Sequence, residues 1–302
     1  GALPALAIDD FRLVNGLRVL LYAERDSAAF EARLVFPRGT VDEPAGQRGV
    51  AAMAAALLDH DYERLYPARI TDTINWALRL GTQLSADADE EVTVFSSRGL
   101  AMFSDWHLWR LAWLIDQGVY SGDALAALRR DLRESDDRKV SPSGLAFQQR
   151  LFGADHPYAQ ARPGRDALAA IRRGQLEAWR RNQLSLDGAT LIVSGGFMKT
   201  AMHQHVVDLF GAIGARPVPA RAALPQPRPA AGPSWIGTRE PDAAQVSLYV
   251  SFTAGSDRDR DHAARRVLGA MIEDRLRVVR EGMGASYGAR SGYDERAAGS
   301  SL

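Results

Sequence analysis

The chain of 302 residues has no cysteine, which excludes disulfides and thiolate metal sites and leaves cytosol and periplasm equally open. It has no excess of either charge, since 37 Lys plus Arg face 37 Asp plus Glu. Without a basic field to draw in a polyanion, no nucleic-acid partner is expected. No apolar run approaches the roughly 18 to 20 residues needed to cross a bilayer, so no transmembrane segment is expected. The first ten residues show no basic stretch followed by an apolar one, so an export signal is read as removed or never there. A Gly-x-Ser-x-Gly elbow is also missing, and with no cysteine either, nucleophilic catalysis has no support.

What is there is ordinary globular usage, 46% apolar and 25% charged, in a chain longer than one compact core usually holds. Two domains are expected. Asn15-Gly16, both of which tolerate positive φ, stands between two alternating apolar runs and predicts a β-hairpin. A third strand is expected near Ala32–Phe36, then a turn-rich stretch carrying Gly39, Pro44, Gly46 and Gly49. Val50–Leu58, alanine-rich and apolar on every face, predicts a buried helix. A helix near Ile70–Leu80, an extended segment Thr82–Ala86 and a strand Glu91–Arg98 follow.

Trp106, Trp109 and Trp113 share one face of a helix at 105–117 and are read as core rather than as a stacking platform. A charged helix at 123–138, helices near 144–152 and 166–182 and a strand at 189–194 complete an α+β order. Six prolines between Pro217 and Pro233 forbid helix and central sheet, giving an extended linker between a domain at 1–216 and a second at 234–302. In the second, Trp235–Ile236 and Ala244–Phe252 read as strands and Asp261–Glu281 as a helix. Strand followed by long helix repeats the opening of the first domain and hints at an internal duplication.

Of the six histidines, two patterns suggest metal ligation. Asp59-His60-Asp61 follows the alanine-rich helix. His203 and His205 stand two apart in a predicted helix, where their side chains diverge by about 160° to 200°. Both are read as solvated surface side chains.

Leu13-Val-Asn-Gly-Leu-Arg-Val19, the Gly39–Gly49 turn with Asp42-Glu43-Pro44 and Gln47-Arg48-Gly49, Gly81 at the start of a strand, and His156-Pro157-Tyr158 occur in one order along the chain. In that order and spacing they resemble the M16 metallopeptidase family (pitrilysin, insulinase and mitochondrial processing peptidase). The resemblance implies α+β domains, each a mixed or antiparallel sheet covered by helices, present as two homologous copies of which the second is incomplete here. In active members the glycine matching Gly49 opens a helix with a His-x-x-Glu-His zinc motif. On this chain that motif falls on Ala52, Ala55 and Ala56, which can neither bind metal nor move a proton. The third ligand, a glutamate on a later helix, falls near Leu125, Ala126 and Ala127. Asp131 and Glu134 are alternatives in register, or members of an exposed helix face.

By the same resemblance, Arg280 and Tyr287 match an Arg and Tyr pair that binds substrate and polarises the scissile carbonyl. A guanidinium and a phenol suit that task without titrating at neutral pH. The plain alternative is a helix-end cation and a packed strand residue. Gln83, Leu84 and Ser85 match the edge strand on which peptide substrates lie, although Ser85 stands where active members often carry asparagine. The implied role is a non-catalytic subunit of a two-chain, M16B-type zinc peptidase. Its partner is a zinc-bearing M16 chain or a second copy, its substrate an unfolded peptide, its compartment the periplasm, and zinc is expected only in the partner. The competing readings are a scaffold homologue with no part in proteolysis and an independent peptidase, the latter requiring zinc in this chain.

Overall fold

A computed structural model describes residues 6–60, 81–134, 142–161, 163–214, 216–233, 235–237, 248–283 and 290–302. The helix expected near 70–80 and the stretch 241–247 of an expected strand lie outside these residues. The chain divides into two compact units, Gly1–Asp137 with Pro163–Arg221, and Arg138–Arg162 with Ala222–Leu302.

The first unit opens on the expected hairpin, β1 (Ile8–Arg12) paired antiparallel with β2 (Arg18–Ala23). Its turn is Asn15-Gly16. Only Gly16 has positive φ (87°), and a Cβ there would meet Asp187 Oδ1 at 2.4 Å. Asn15 instead turns its side chain inward. Its Nδ2 donates to Phe210 O (2.8 Å) and Ile213 O (2.9 Å), while its Oδ1 accepts from Leu17 N (3.3 Å). The Asn-Gly pair thus serves a distant helix end as well as a turn.

Strands β3 (Ala29–Phe36), β4 (Gln83–Ala88), β5 (Thr93–Leu100) and β6 (Thr190–Gly195) complete a six-stranded sheet in the order β1-β2-β6-β3-β5-β4. Every neighbouring pair is antiparallel except β2 with β6. Alternation decides the faces. Val19, Leu21, Leu34, Phe36, Phe95, Leu191 and Val193 are fully buried against the helices. The intervening residues form rows across the open face. One runs Gln83, Arg98, Glu31, Ser194, Tyr22, Ile8, and the next Ser85, Ser96, Arg33, Ile192, Leu20, Asp10.

Among the described residues the helices of this unit are α1 (Val50–His60), α2 (Ser104–Asp116), α3 (Gly122–Glu134), α5 (Arg165–Ala170), α6 (Arg173–Gln183) and α7 (Lys199–Phe210), with α4 (Pro142–Phe152) in the other unit. The tryptophan face of α2 is core, as expected: Trp113 is buried, and Trp106 and Trp109 pack against the cluster. The helix expected over 166–182 is two, because buried Ile171 turns to an extended conformation (ψ 129°) and Arg172 starts α6, with Gln175 Oε1 accepting from its N–H at 2.7 Å.

The second unit gathers α4, α8 (His262–Met283) and a two-stranded pair β7 (Thr253–Ala254) with β8 (Ser300–Ser301). Arg296 stacks over the rings of Phe152 (4.9 Å) and Tyr158 (5.0 Å), and the Tyr158 hydroxyl accepts from Ala298 N at 3.1 Å. The expected strands at 235–236 and over 248–252 do not form. Their apolar residues find no face to bury, Trp235 and Tyr249 being 84% and 79% exposed, and backbone pairing with the C-terminal strand reaches back only to Phe252, which exchanges hydrogen bonds with Leu302.

Residues 216–233 carry neither helix nor strand where described, as their prolines require. They are nevertheless anchored within each unit. In the first, Ser185 Oγ donates to Arg216 O (2.6 Å). In the second, His156 bonds Pro225 O (2.9 Å), and Arg228 N and Ala230 N donate to Phe152 O (2.9 Å) and Arg150 O (2.8 Å).

Candidate functional site

The Gly39–Gly49 turn is a device for starting α1. Glu43, its side chain 1% exposed, accepts from Gly49 N through both carboxylate oxygens (3.0 Å) and from Ala51 N (3.0 Å), with Arg48 at 3.8 Å. A carboxylate there satisfies orphan N–H groups and meets the positive end of the helix. Desolvation pushes its pKa upward, and the amide bonds and Arg48 oppose that rise. Gly49 sits at φ 91°, and a Cβ on it would strike Leu168 Cδ2 at 2.4 Å. Asp42 accepts from Gly39 N (2.9 Å) and pairs with Arg38 (3.4 Å) and Arg221 (2.6 Å).

The helix so started is not buried all round. Ala55 is fully buried, but Ala52 and Ala56, four residues apart on one face, are exposed. α1 packs on β4, which ends the sheet order among the described residues and pairs only with β5. The positions matching the zinc motif and the substrate strand are therefore on elements in contact. They differ in chemistry from a metal site, since three methyl groups offer no donor atom. Among the described residues no three His, Cys, Asp or Glu side chains group to hold an ion. The alanines at these three positions do not fit zinc.

Along β4, Gln83 and Ser85 point to the open face and Leu84 to the helix side, half-buried. Arg98 donates to Gln83 Oε1 through Nε (2.6 Å) and Nη2, and the Ser85 and Ser96 hydroxyls lie 2.7 Å apart. A cleft of about 470 Å³ opens at the Gln83 end, lined by Tyr22, Glu24, Glu31, Gln83, Arg98 and Ser194 among others. A hydrogen bond to Glu24 raises the Tyr22 pKa. Glu31 pairs with Arg33 (2.6 Å) and Asp10 with Arg18 (2.6 Å), and the hydrogen bond from Arg18 lowers the Asp10 pKa. The face is polar and mixed in sign.

The other candidates lie elsewhere. Leu125 is buried core, whereas Ala126 and Asp131 are exposed on α3, which also carries Ala127 and Glu134. Arg280 is on α8 with no described side-chain surroundings, and Tyr287 lies outside the described residues. His203 and His205 do sit in a helix, α7. His203 lies against Phe11 (4.2 Å between ring centres) and His205 3.5 Å from Asp105, which makes them surface contacts of the sheet and α2. His60 ends α1, and Asp61 lies outside the described residues.

Two histidines are buried, His107, which the sequence reading did not single out, and His156 of the His-Pro-Tyr triplet. His107 shares a 2.7 Å hydrogen bond with Ser97 Oγ through Nδ1. His156 accepts from Tyr158 N through Nδ1 (3.1 Å), which leaves Nε2 to donate to Pro225 O. The second explains the His-Pro-Tyr triplet as an anchor of the second unit. Only the helical register of His107, on the inward face of the tryptophan helix, could have flagged the first.

No curated protein matches the chain in sequence. Residues 170–301 match the family model described as the peptidase M16 inactive domain. Among solved structures, the peptidase M16 inactive domain from Pseudomonas fluorescens superposes with a TM-score of 0.75 at 21% identity, over 98% of this chain and 73% of that one. A protease from Helicobacter pylori gives 0.70 at 14% identity, over 98% and 74%. The periplasmic protease PqqL from Escherichia coli gives 0.72 at 16%, over all of this chain and 35% of that one. At these identities the structures establish the fold, and the family model, over its own span, adds sequence. The α+β architecture read from the sequence is thereby borne out, and residues 170–301 of this chain match the inactive-domain model of the family that its motifs resemble.

Proposed function

We propose that the chain is a non-catalytic M16 subunit that binds extended peptides along β4 and presents them to the zinc site of a partner, either a zinc-bearing M16 chain or another copy. The observation that carries this is the juxtaposition of an edge strand with a helix whose motif positions are Ala52, Ala55 and Ala56. An edge strand offers unpaired N–H and C=O groups to an added strand, and its alternate side chains, here Gln83 and Ser85 on one side and Leu84 on the other, set preference. Arg280 and Tyr287 would contribute substrate contacts to the shared site, by resemblance alone. A periplasmic address accords with the PqqL likeness, and no helix of the described residues is long and apolar enough to cross a membrane.

The test is binding of fluorescent unstructured peptides by anisotropy, followed by cleavage assays on the chain alone and with a zinc-bearing M16 partner. Saturable binding, no cleavage alone, and faster cleavage by the pair support the reading. No binding and no effect on the partner would leave the scaffold reading. Stoichiometric zinc and cleavage by the chain alone would make it an independent peptidase.

A further inference from the structure

The peptide edge has a fastening that the strand itself does not supply. Arg221 donates from Nε to Asp42 Oδ1 (2.8 Å) and from Nη2 to Asp42 Oδ2 (2.6 Å), a fork on a carboxylate only 7% exposed. The same Nη2 reaches Pro37 O (2.9 Å) and Glu91 O (2.7 Å). One guanidinium therefore holds two segments, the turn leading into α1 and the turn joining β4 to β5. Those turns are also tied by Thr40 N to Asp89 O (2.9 Å) and Val41 N to Glu90 O (3.0 Å). Arg38, donating to Pro219 O as well as pairing with Asp42, fastens the same proline stretch two residues earlier. Glu43, next to Asp42, then caps α1.

We infer that Arg221 is a positioning residue for the peptide-receiving edge, locking the proline strap at 217–221 onto both turns that set β4 against α1. The inference rests on the β4 reading for its consequence in binding but not for its structural content. The planar fork takes the carboxylate through Nε and Nη2, and the two Nη2 protons are shared among Asp42 Oδ2 and the two carbonyls, a fixed arrangement that a lysine ammonium on a flexible stem does not reproduce. Arg221 is also the last residue of the first unit, so the strap it holds ends where that unit does.

The experiment uses the full chain with Arg221→Ala and Arg221→Lys, read by hydrogen exchange and by anisotropy with a fluorescent unstructured peptide. Expected for Arg221→Ala is about tenfold faster exchange at 37–43 and 83–92 and about tenfold weaker peptide binding, with exchange in β2, β6 and α7 unchanged. Arg221→Lys restores less than half of either effect on a logarithmic scale. Unchanged exchange at 83–92, a uniform rise across the unit, or full rescue by lysine each overturns the inference. If the unaltered chain binds no peptide, the proposed function fails while the exchange data still decide the role of Arg221.

Discussion

His107 lies wholly inside the protein, stacked on Phe30 with ring centres 5.4 Å apart, and burial followed by the charge of Arg110 lowers its pKa from 6.5 to about 4. The folded value lies below the unfolded one, so between these pH values the unfolded chain binds the extra proton and stability rises with pH. The contribution is complete above pH 6.5 and is lost on acidification toward pH 4, about 3 kcal/mol in all. Urea unfolding at pH 7 and pH 4.5 should show this loss, and His107→Asn should remove most of it. A pH-independent stability would sink the assignment. Glu43→Ala leaves Gly49 and Ala51 amides without their acceptor and is expected to cost about 2 kcal/mol. Asn15→Ala, which removes the Asn15 donor from the Ile213 carbonyl and one of two donors from the Phe210 carbonyl, should cost about 1 to 3 kcal/mol by the same measurement. None of these three roles is a catalytic one. Motif residues that resemble a peptidase are used here to seat a helix and close a hairpin.

At the scale of elements, α1 separates the three alanines by environment. Ala52→His and Ala56→His, on the exposed face, should each shift stability by less than about 0.5 kcal/mol. Ala55→Glu places an unpaired carboxylate at a fully buried position and should cost about 3 kcal/mol or more in chemical denaturation. Restoring the motif by substitution is therefore expected to destabilise the helix before it binds metal, and a stable triple variant would contradict this packing. For β4, peptides N-methylated at alternate amides should divide into a set that binds and a set that does not, because an added strand uses only every second N–H. Equal binding of both sets would argue for side-chain contacts alone. The hairpin, β3, the strands flanking 89–92, the tryptophan helix and the long α8 were all legible from periodicity, since each alternates apolar and polar residues at its own period. The break at Ile171 was not, because it depends on burial of one side chain against another element. The strand expected over 248–252 failed for the converse reason: alternation signals a surface to be half-buried, and Leu248, Tyr249 and Val250 remain exposed.

For the whole molecule, the reconstituted pair is the decisive system. If Arg280 supports a partner's chemistry, Arg280→Ala should lower kcat/KM of the pair tenfold or more, about 1.4 kcal/mol or above, without changing the stability of this chain. Unchanged turnover would favour the scaffold role. The sequence by itself determined the α+β class, the resemblance to M16 proteins and the alanines at 52, 55 and 56, because each is written in residue types and their spacing. An alanine has no ligand atom whatever surrounds it. Tertiary structure decided which alanines are exposed, that β4 ends the sheet beside α1 among the described residues, that Asn15 and Glu43 cap helices, and that Arg221 pins the proline strap to two turns. Those facts join residues as far apart in sequence as Asp42 and Arg221, and local propensity carries no term for contacts over such a separation.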